Sequence, residues 1–156
     1  MKGVLLWALA LELFCTVLSA QEQPVAFNHK LHLDMKIECT DCHQLAMKTR
    51  RSGLPTASLC MTCHRAIKAN SPEIKKVAQY KSEHRAIPWV RLYQLPGHVY
   101  YNHERHVKAS GIACSTCHGA TGTEAASVAY RTFTMGFCID CHKERKVTNE
   151  CSTCHR

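Results

Sequence analysis

Five runs in this chain place two cysteines three positions apart with a histidine directly behind the second. They are Cys39-Thr40-Asp41-Cys42-His43, Cys60-Met61-Thr62-Cys63-His64, Cys114-Ser115-Thr116-Cys117-His118, Cys138-Ile139-Asp140-Cys141-His142 and Cys151-Ser152-Thr153-Cys154-His155. On a helical turn, positions i, i+3 and i+4 share one face, so each run presents two thiols and an imidazole to the same side. Two thiols so placed can form thioethers to a porphyrin edge while the imidazole binds its iron, which is the attachment chemistry of c-type haem. Zinc sites, redox dithiols and disulfide frameworks also use paired cysteines, but none requires a histidine next to the second. Histidine is 11 of 156 residues, so five such placements by accident are excluded. All ten cysteines after Cys15 belong to these runs, which leaves no thiol for a conventional disulfide. The cofactor reading is five covalently bound c-type haems, with His43, His64, His118, His142 and His155 as proximal iron ligands.

Six further histidines, His29, His32, His84, His98, His103 and His106, can supply second axial ligands. Bis-His haems are low-spin and six-coordinate, with potentials generally below those of His/Met haems. His29/His32 and His103/His106 are two His-x-x-His pairs. Imidazoles three residues apart can leave one short turn toward two different irons and so tie neighbouring haems together. For the fifth distal ligand, His98 is the first choice, ahead of His84 in its polar surroundings and the thioether of Met135. Met35 and Met47 are weaker candidates, and Met61 reads as packing, because a thioether more often fills core space. The fifth motif has no distal partner near it in sequence.

The elements that must position these groups show an internal repeat. Phe27-Asn28-His29-Lys30-Leu31-His32 precedes the first motif, Tyr101-Asn102-His103-Glu104-Arg105-His106 precedes the third, and a second motif follows in each case. The chain therefore divides into di-haem modules over about 25–65 and 99–143, a connector over 66–98 and a fifth motif at 151–155, sharing one domain over 21–156. In the connector, Pro72 reads as the first-turn residue of a helix starting after Ser71, with Ile67, Ile74 and Val77 at near-helical spacing. Ile87 to Tyr93 and His98 to Tyr101 alternate like short strands about the turn residues Gln94-Leu95-Pro96-Gly97, which predicts a small β-hairpin. The expected fold is mainly short α-helices and loops around a haem core, with that one hairpin.

Residues 1–20 have the three regions of a secretory signal peptide: Lys2, an apolar stretch from Val4 to Leu18, and Ser19-Ala20 before a polar segment. The competing reading is an uncleaved anchor, but Glu12 interrupts an apolar stretch shorter than the roughly 20 residues of a membrane span. Phe14 is too bulky to precede a lipidated Cys15. The chemistry then belongs on the periplasmic or other extracytoplasmic side, with peripheral membrane association compatible with it. A mature chain of about 136 residues suits one domain, and five haems would leave about 27 residues for each. The formal charge of +8 does not indicate nucleic acid, since the propionates of five ferric haems would bring it to about +3. Lys and Arg largely neutralise the cofactor.

The quoted runs, taken with Trp89-Val90-Arg91, Leu95-Pro96, Val99-Tyr100-Tyr101 and Met135-Gly136, make the chain resemble cytochrome c7-type multihaem cytochromes. It is most similar to the pentahaem cytochrome subunits of alternative complex III, a bacterial quinol-oxidising complex. The resemblance spans about residues 25 to 155. It implies mostly bis-His haems in a chain, taking electrons from a quinol-oxidising membrane complex and passing them to a cytochrome or oxidase.

The residues themselves point to an extracytoplasmic electron-transfer protein rather than an enzyme, with no catalytic residue assigned, and the resemblance implies a place in the respiratory chain. The alternative is a multihaem reductase with one open-coordination haem acting on a small oxyanion or metal ion. All five motifs end in His, without the unusual proximal ligand such reductases often carry, which argues against it. A third reading is a haem-bearing structural subunit with no free existence.

Overall fold

The polypeptide builds short helices, several of them started by a side chain that takes up a free amide of the first turn. In the structure, a computed structural model describing residues 22–122 and 128–155, these are α1 (His29–Asp34), α2 (Cys39–Cys42), α3 (Ala57–His64), α4 (Pro72–Ser82), α5 (Cys114–His118), α6 (Met135–Glu144) and α7 (Cys151–Cys154), with a π-helical turn at Glu104–Ala109. The expected leader lies outside the described residues. Asn28, Thr56, Ser71 and Thr134 accept hydrogen bonds from the amides of Leu31, Leu59, Ile74 and Phe137 and so cap α1, α3, α4 and α6. Glu38 and Asp41 form a reciprocal capping box around the single turn α2. Helix α4 starts after Ser71 with Pro72 in its first turn, as the sequence predicts. Val77 is buried and Ile74 half-buried on it, whereas Ile67 precedes the helix and is exposed.

The apolar core is small. Among the described residues, Val25, Ala57, Val77 and Ile87 form one buried cluster where α3 packs on α4, joined by Cys60, Met61, Tyr80 and Trp89. No large side chain there is fully buried. A domain of this length ordinarily orders itself around many such residues. Side chains alone leave the interior incomplete, which suits a chain that carries flat apolar macrocycles on its cysteines. No helix among the described residues is long and apolar enough to cross a membrane.

The β-hairpin expected over 87–93 and 98–101 is not present: the described residues contain no strand ladder, and one isolated antiparallel bridge joins Val99 to His155. Three local facts explain this. Pro88 and Pro96 lack the N–H that a ladder needs. The Gln23 side-chain amide takes both backbone groups of Val90, accepting from its N–H and donating to its carbonyl at 3.0 Å each. Trp89 is drawn inward, its Nε1–H donating to the Pro55 carbonyl at 2.9 Å. The second arm pairs instead with the C-terminal segment, where the Tyr100 N–H donates to the Cys154 carbonyl at 2.7 Å. Residues 86–101 are thus an extended strap, and the strap brings His98 to the last motif.

Candidate haem-binding sites

Every Cys-x-x-Cys-His run falls on a helix or its end: α2, the C-terminal part of α3, α5, the middle of α6, and α7. The turn is closed by its own backbone, with the His43 and His155 amides donating to the carbonyls of Cys39 and Cys151 at 2.8 and 2.9 Å. All ten cysteines are free thiols, with Cys39, Cys63 and Cys151 exposed and the others half-buried. Among the described residues, no three or more His, Cys, Asp or Glu side chains converge as a structural zinc ion would need.

A second imidazole stands across from four of the five motif histidines. Ring centroids are 6.1 Å apart for His32 and His64, 6.4 Å for His103 and His118, and 6.1 Å for His106 and His142. His98 and His155 stack at 5.4 Å. His29 lies beside His43, close enough for their charges to interact. Two imidazoles bound through nitrogen to one metal at about 2 Å place their ring centres roughly 6 Å apart. The residues present therefore fit an iron held between two histidines. His84 stands exposed just beyond α4, and Met135 is 66% exposed at the start of α6.

The two His-x-x-His blocks are built alike. Phe27 stacks on His32 at 4.6 Å and meets His29 edge-on at 4.7 Å. Tyr101 stacks on His106 at 4.5 Å and meets His103 edge-on at 4.8 Å. The carbonyls of Asn28 and Asn102 accept from the Nδ1–H of His32 and His106 at 2.9 and 2.8 Å. Four more imidazoles donate Nδ1–H to backbone carbonyls: His43 to Gly53, His64 to Ile67, His103 to Arg50 and His142 to Thr148. A carbonyl can only accept, so these six rings carry their proton on Nδ1 and keep the Nε2 lone pair for a metal. Burial lowers the pKa of His29, His103 and His118, with neighbouring histidines adding to the effect, and so favours the neutral, ligating form.

Two family models match this chain: cytochrome c7 and related cytochrome c over residues 99–156, and the class III cytochrome c family over residues 14–87. The multiheme cytochrome c subunit of menaquinone reductase from Nitratidesulfovibrio vulgaris is 28% identical over 148 residues, covering 88% of this chain and 69% of that protein. The chain is a multihaem c-type cytochrome. The class III match holds the first two motifs and the cytochrome c7 match the last three, with residues 88–98 of the strap between them.

In this cytochrome the motif thiols also stand close to one another. Burial raises the pKa of Cys39, Cys60, Cys117 and Cys138, and a thiol of another motif is the next cause for each. The neighbours are Cys114 for Cys39, Cys42 for Cys60, Cys141 for Cys117, and Cys154 followed by Cys117 for Cys138. Cys42 is raised by burial and by Asp41. Burial, with Cys117, Cys138 and Cys114 around it, pushes the Tyr101 hydroxyl up to about 12. Before haem is attached, these thiols would be protonated at neutral pH, the state that resists stray disulfide exchange. The carbonyl acceptors at Arg50, Gly53, Ile67 and Thr148 are functional groups that sequence reasoning misses, since any residue type supplies a carbonyl. Met61 packs against the small core, as its place inside a motif suggests.

Proposed function

We propose that this cytochrome carries five covalently attached c-type haems, each held between two histidines, and relays electrons between redox partners outside the cytoplasm. The observation that carries the reading is the set of opposed imidazoles at four of the five motifs, with His29 beside His43 at the fifth. Cys39/Cys42, Cys60/Cys63, Cys114/Cys117, Cys138/Cys141 and Cys151/Cys154 hold the macrocycles. His43, His64, His118, His142 and His155 ligate from the motif side, opposed by His29, His32, His103, His106 and His98 in that order. Bound haem supplies a one-electron iron couple.

The protein's part would be to hold each haem iron between two imidazoles, whose ring orientation is fixed through the Nδ1–H to carbonyl bonds. Because neutral imidazole stays a ligand in both oxidation states, little rearrangement accompanies each transfer. The relative's name ties a similar subunit to menaquinone chemistry, and the motif order resembles subunits of quinol-oxidising complexes. Together these favour a quinol-linked membrane complex as one partner and a cytochrome or oxidase as the other. The leader over residues 1–20 supports an extracytoplasmic location.

The test is a haem count with a ligand probe. Pyridine haemochrome analysis gives five haems per chain, and carbon monoxide does not bind the reduced protein. Carbon monoxide bound at one haem of the native protein overturns the relay reading in favour of a reductase.

A further inference from the structure

We infer that the five histidine pairs stand in the spatial order His32/His64, His29/His43, His103/His118, His106/His142, His98/His155, so the second motif rather than the first forms one end of the array. This rests on the ligand reading above. Each junction in that order has its own contacts. His29 and His32 leave α1 three residues apart, which makes their pairs neighbours, and Cys60 of the second motif lies by Cys42 of the first. His103 and His106 do the same on the π-helical turn, where Cys117 lies by Cys138 and Cys141.

The two blocks meet through the first motif and the third. The loop leaving His43 returns to it at Gly53, whose carbonyl accepts from His43 Nδ1–H at 2.8 Å. Midway, the Arg50 carbonyl accepts from both the backbone N–H and the Nδ1–H of His103, at 3.2 and 3.0 Å. The Thr49 carbonyl accepts from Glu104 N–H at 3.1 Å. One loop thus holds the proximal imidazole of the first motif and the distal imidazole of the third. Cys39 lies by Cys114 across the same junction. On its far side, Gly122 approaches α1 so closely that an added Cβ would lie 3.9 Å from His29 Cβ.

The outer ends are bounded differently. Beyond His32/His64 lies the small core: Phe27 stacks on His32, Trp89 meets Phe27 edge-on, and Cys60 joins the cluster of α3 and α4. At the other end, the strap carrying His98 binds the last motif through the Val99–His155 bridge, and Cys154 lies by Cys138 of the fourth. An electron crossing the protein from end to end must therefore pass the junction at Arg50. Each hop oxidises one iron by one electron and reduces the next.

The test is His32→Met in the full holoprotein. A thioether raises the potential of that one haem, and a ferric His/Met haem shows a charge-transfer band that bis-His haems lack. Redox titration followed by NMR then reads which other haems shift, since interaction between charged centres falls with distance. The expected result is that the band appears and the Cys39/Cys42 haem shifts most, with little response from the Cys114/Cys117 haem. In His29→Met, the Cys60/Cys63 and Cys114/Cys117 haems both shift. His98→Met perturbs the other, exposed end, where the Cys138/Cys141 haem alone responds, and it serves if the first two variants fail to fold. Absence of the band in every folded variant overturns the ligand reading and the order with it. The band together with a dominant shift at Cys114/Cys117 in His32→Met, or at any haem but Cys138/Cys141 in His98→Met, overturns the order alone.

Discussion

On the five-haem reading proposed above, replacing His98 with Ala separates the fifth iron site from the other four. His98 is exposed on the strap and touches His155 as a stacked ring at 5.4 Å, with the interplanar angle 26°. An exposed side chain carries little packing, so its truncation changes the stability of the surrounding polypeptide by no more than about 0.5 kcal/mol. His106 contrasts with it, being half-buried between Tyr101 at 4.5 Å and His142 at 6.1 Å. The His98 variant therefore stays folded while one iron in five loses an axial ligand. In the ferric spectrum, roughly a fifth of the iron becomes high-spin. After reduction, one carbon monoxide binds per chain, where the parent binds none. His84→Ala and Met135→Ala serve as controls and leave both readings unchanged, because neither side chain stands across from a motif histidine. If His98→Ala binds no carbon monoxide while either control does, the assignment of the fifth ligand is wrong.

Three other outcomes follow from the same geometry. Asn28→Ala and Asn102→Ala each remove an acceptor for a first-turn amide, from Leu31 and Arg105 at 3.1 Å, and each lowers the thermal midpoint by the equivalent of about 1 kcal/mol. Gly122 has φ +101, and an added Cβ would lie 2.0 Å from Leu33 Cδ1. Leu33 can swing aside but the backbone cannot, so Gly122→Ala destabilises by about 1–2 kcal/mol in chemical denaturation. The third outcome concerns pH. The pKa values of His29, His103 and His118 lie below the ordinary imidazole value of 6.5, chiefly because of burial. The unfolded chain then binds more protons than the folded one on the acid side. Their contribution is complete above about pH 6.5 and is lost as pH falls through the depressed values. Thermal midpoints measured from pH 7.5 downward show the fall, and a midpoint that rises on acidification contradicts it.

The local turns that carry the motif side chains were legible in the sequence because they depend on residue types at fixed spacing. Cys-x-x-Cys-His needs one helical turn, and each of the five runs forms one. Ser71 followed by Pro72 starts α4 through a cap and a fixed φ, both local effects. What stayed hidden involves distant segments or backbone atoms. The alternation of Ile87 to Tyr93 reads as a strand, but Ile87 and Trp89 point into the α3–α4 cluster and Gln23 occupies the backbone of Val90. That Gln23 lies 67 residues away, beyond any periodicity argument. The last motif has no nearby histidine in sequence, yet Val99 and Tyr100 bind its backbone and bring His98 opposite His155. Arg50 bears on His103 through its carbonyl, which no residue type announces.

The two His-x-x-His blocks show which feature the fold holds constant. The first lies on an α-helix capped by Asn28, whereas the second lies at the mouth of a π-helical turn, a wider and rarer backbone often associated with function. Despite that difference, the aromatic ring in front of each block meets the first histidine at nearly a right angle, 86° and 89°, and stacks on the second at 25° and 29°. The asparagine carbonyl takes the same Nδ1–H in both. If the helix type were what mattered, the ring angles would have followed the backbone. They do not, so the constraint acts on the imidazoles: two rings, each fixed by an aromatic face, must reach two partners across a gap of about 6 Å. The backbone turn adjusts to meet that demand. Phe27→Leu and Tyr101→Leu would release it, which makes the aromatic face, as much as the histidines, part of what holds the ligands in place.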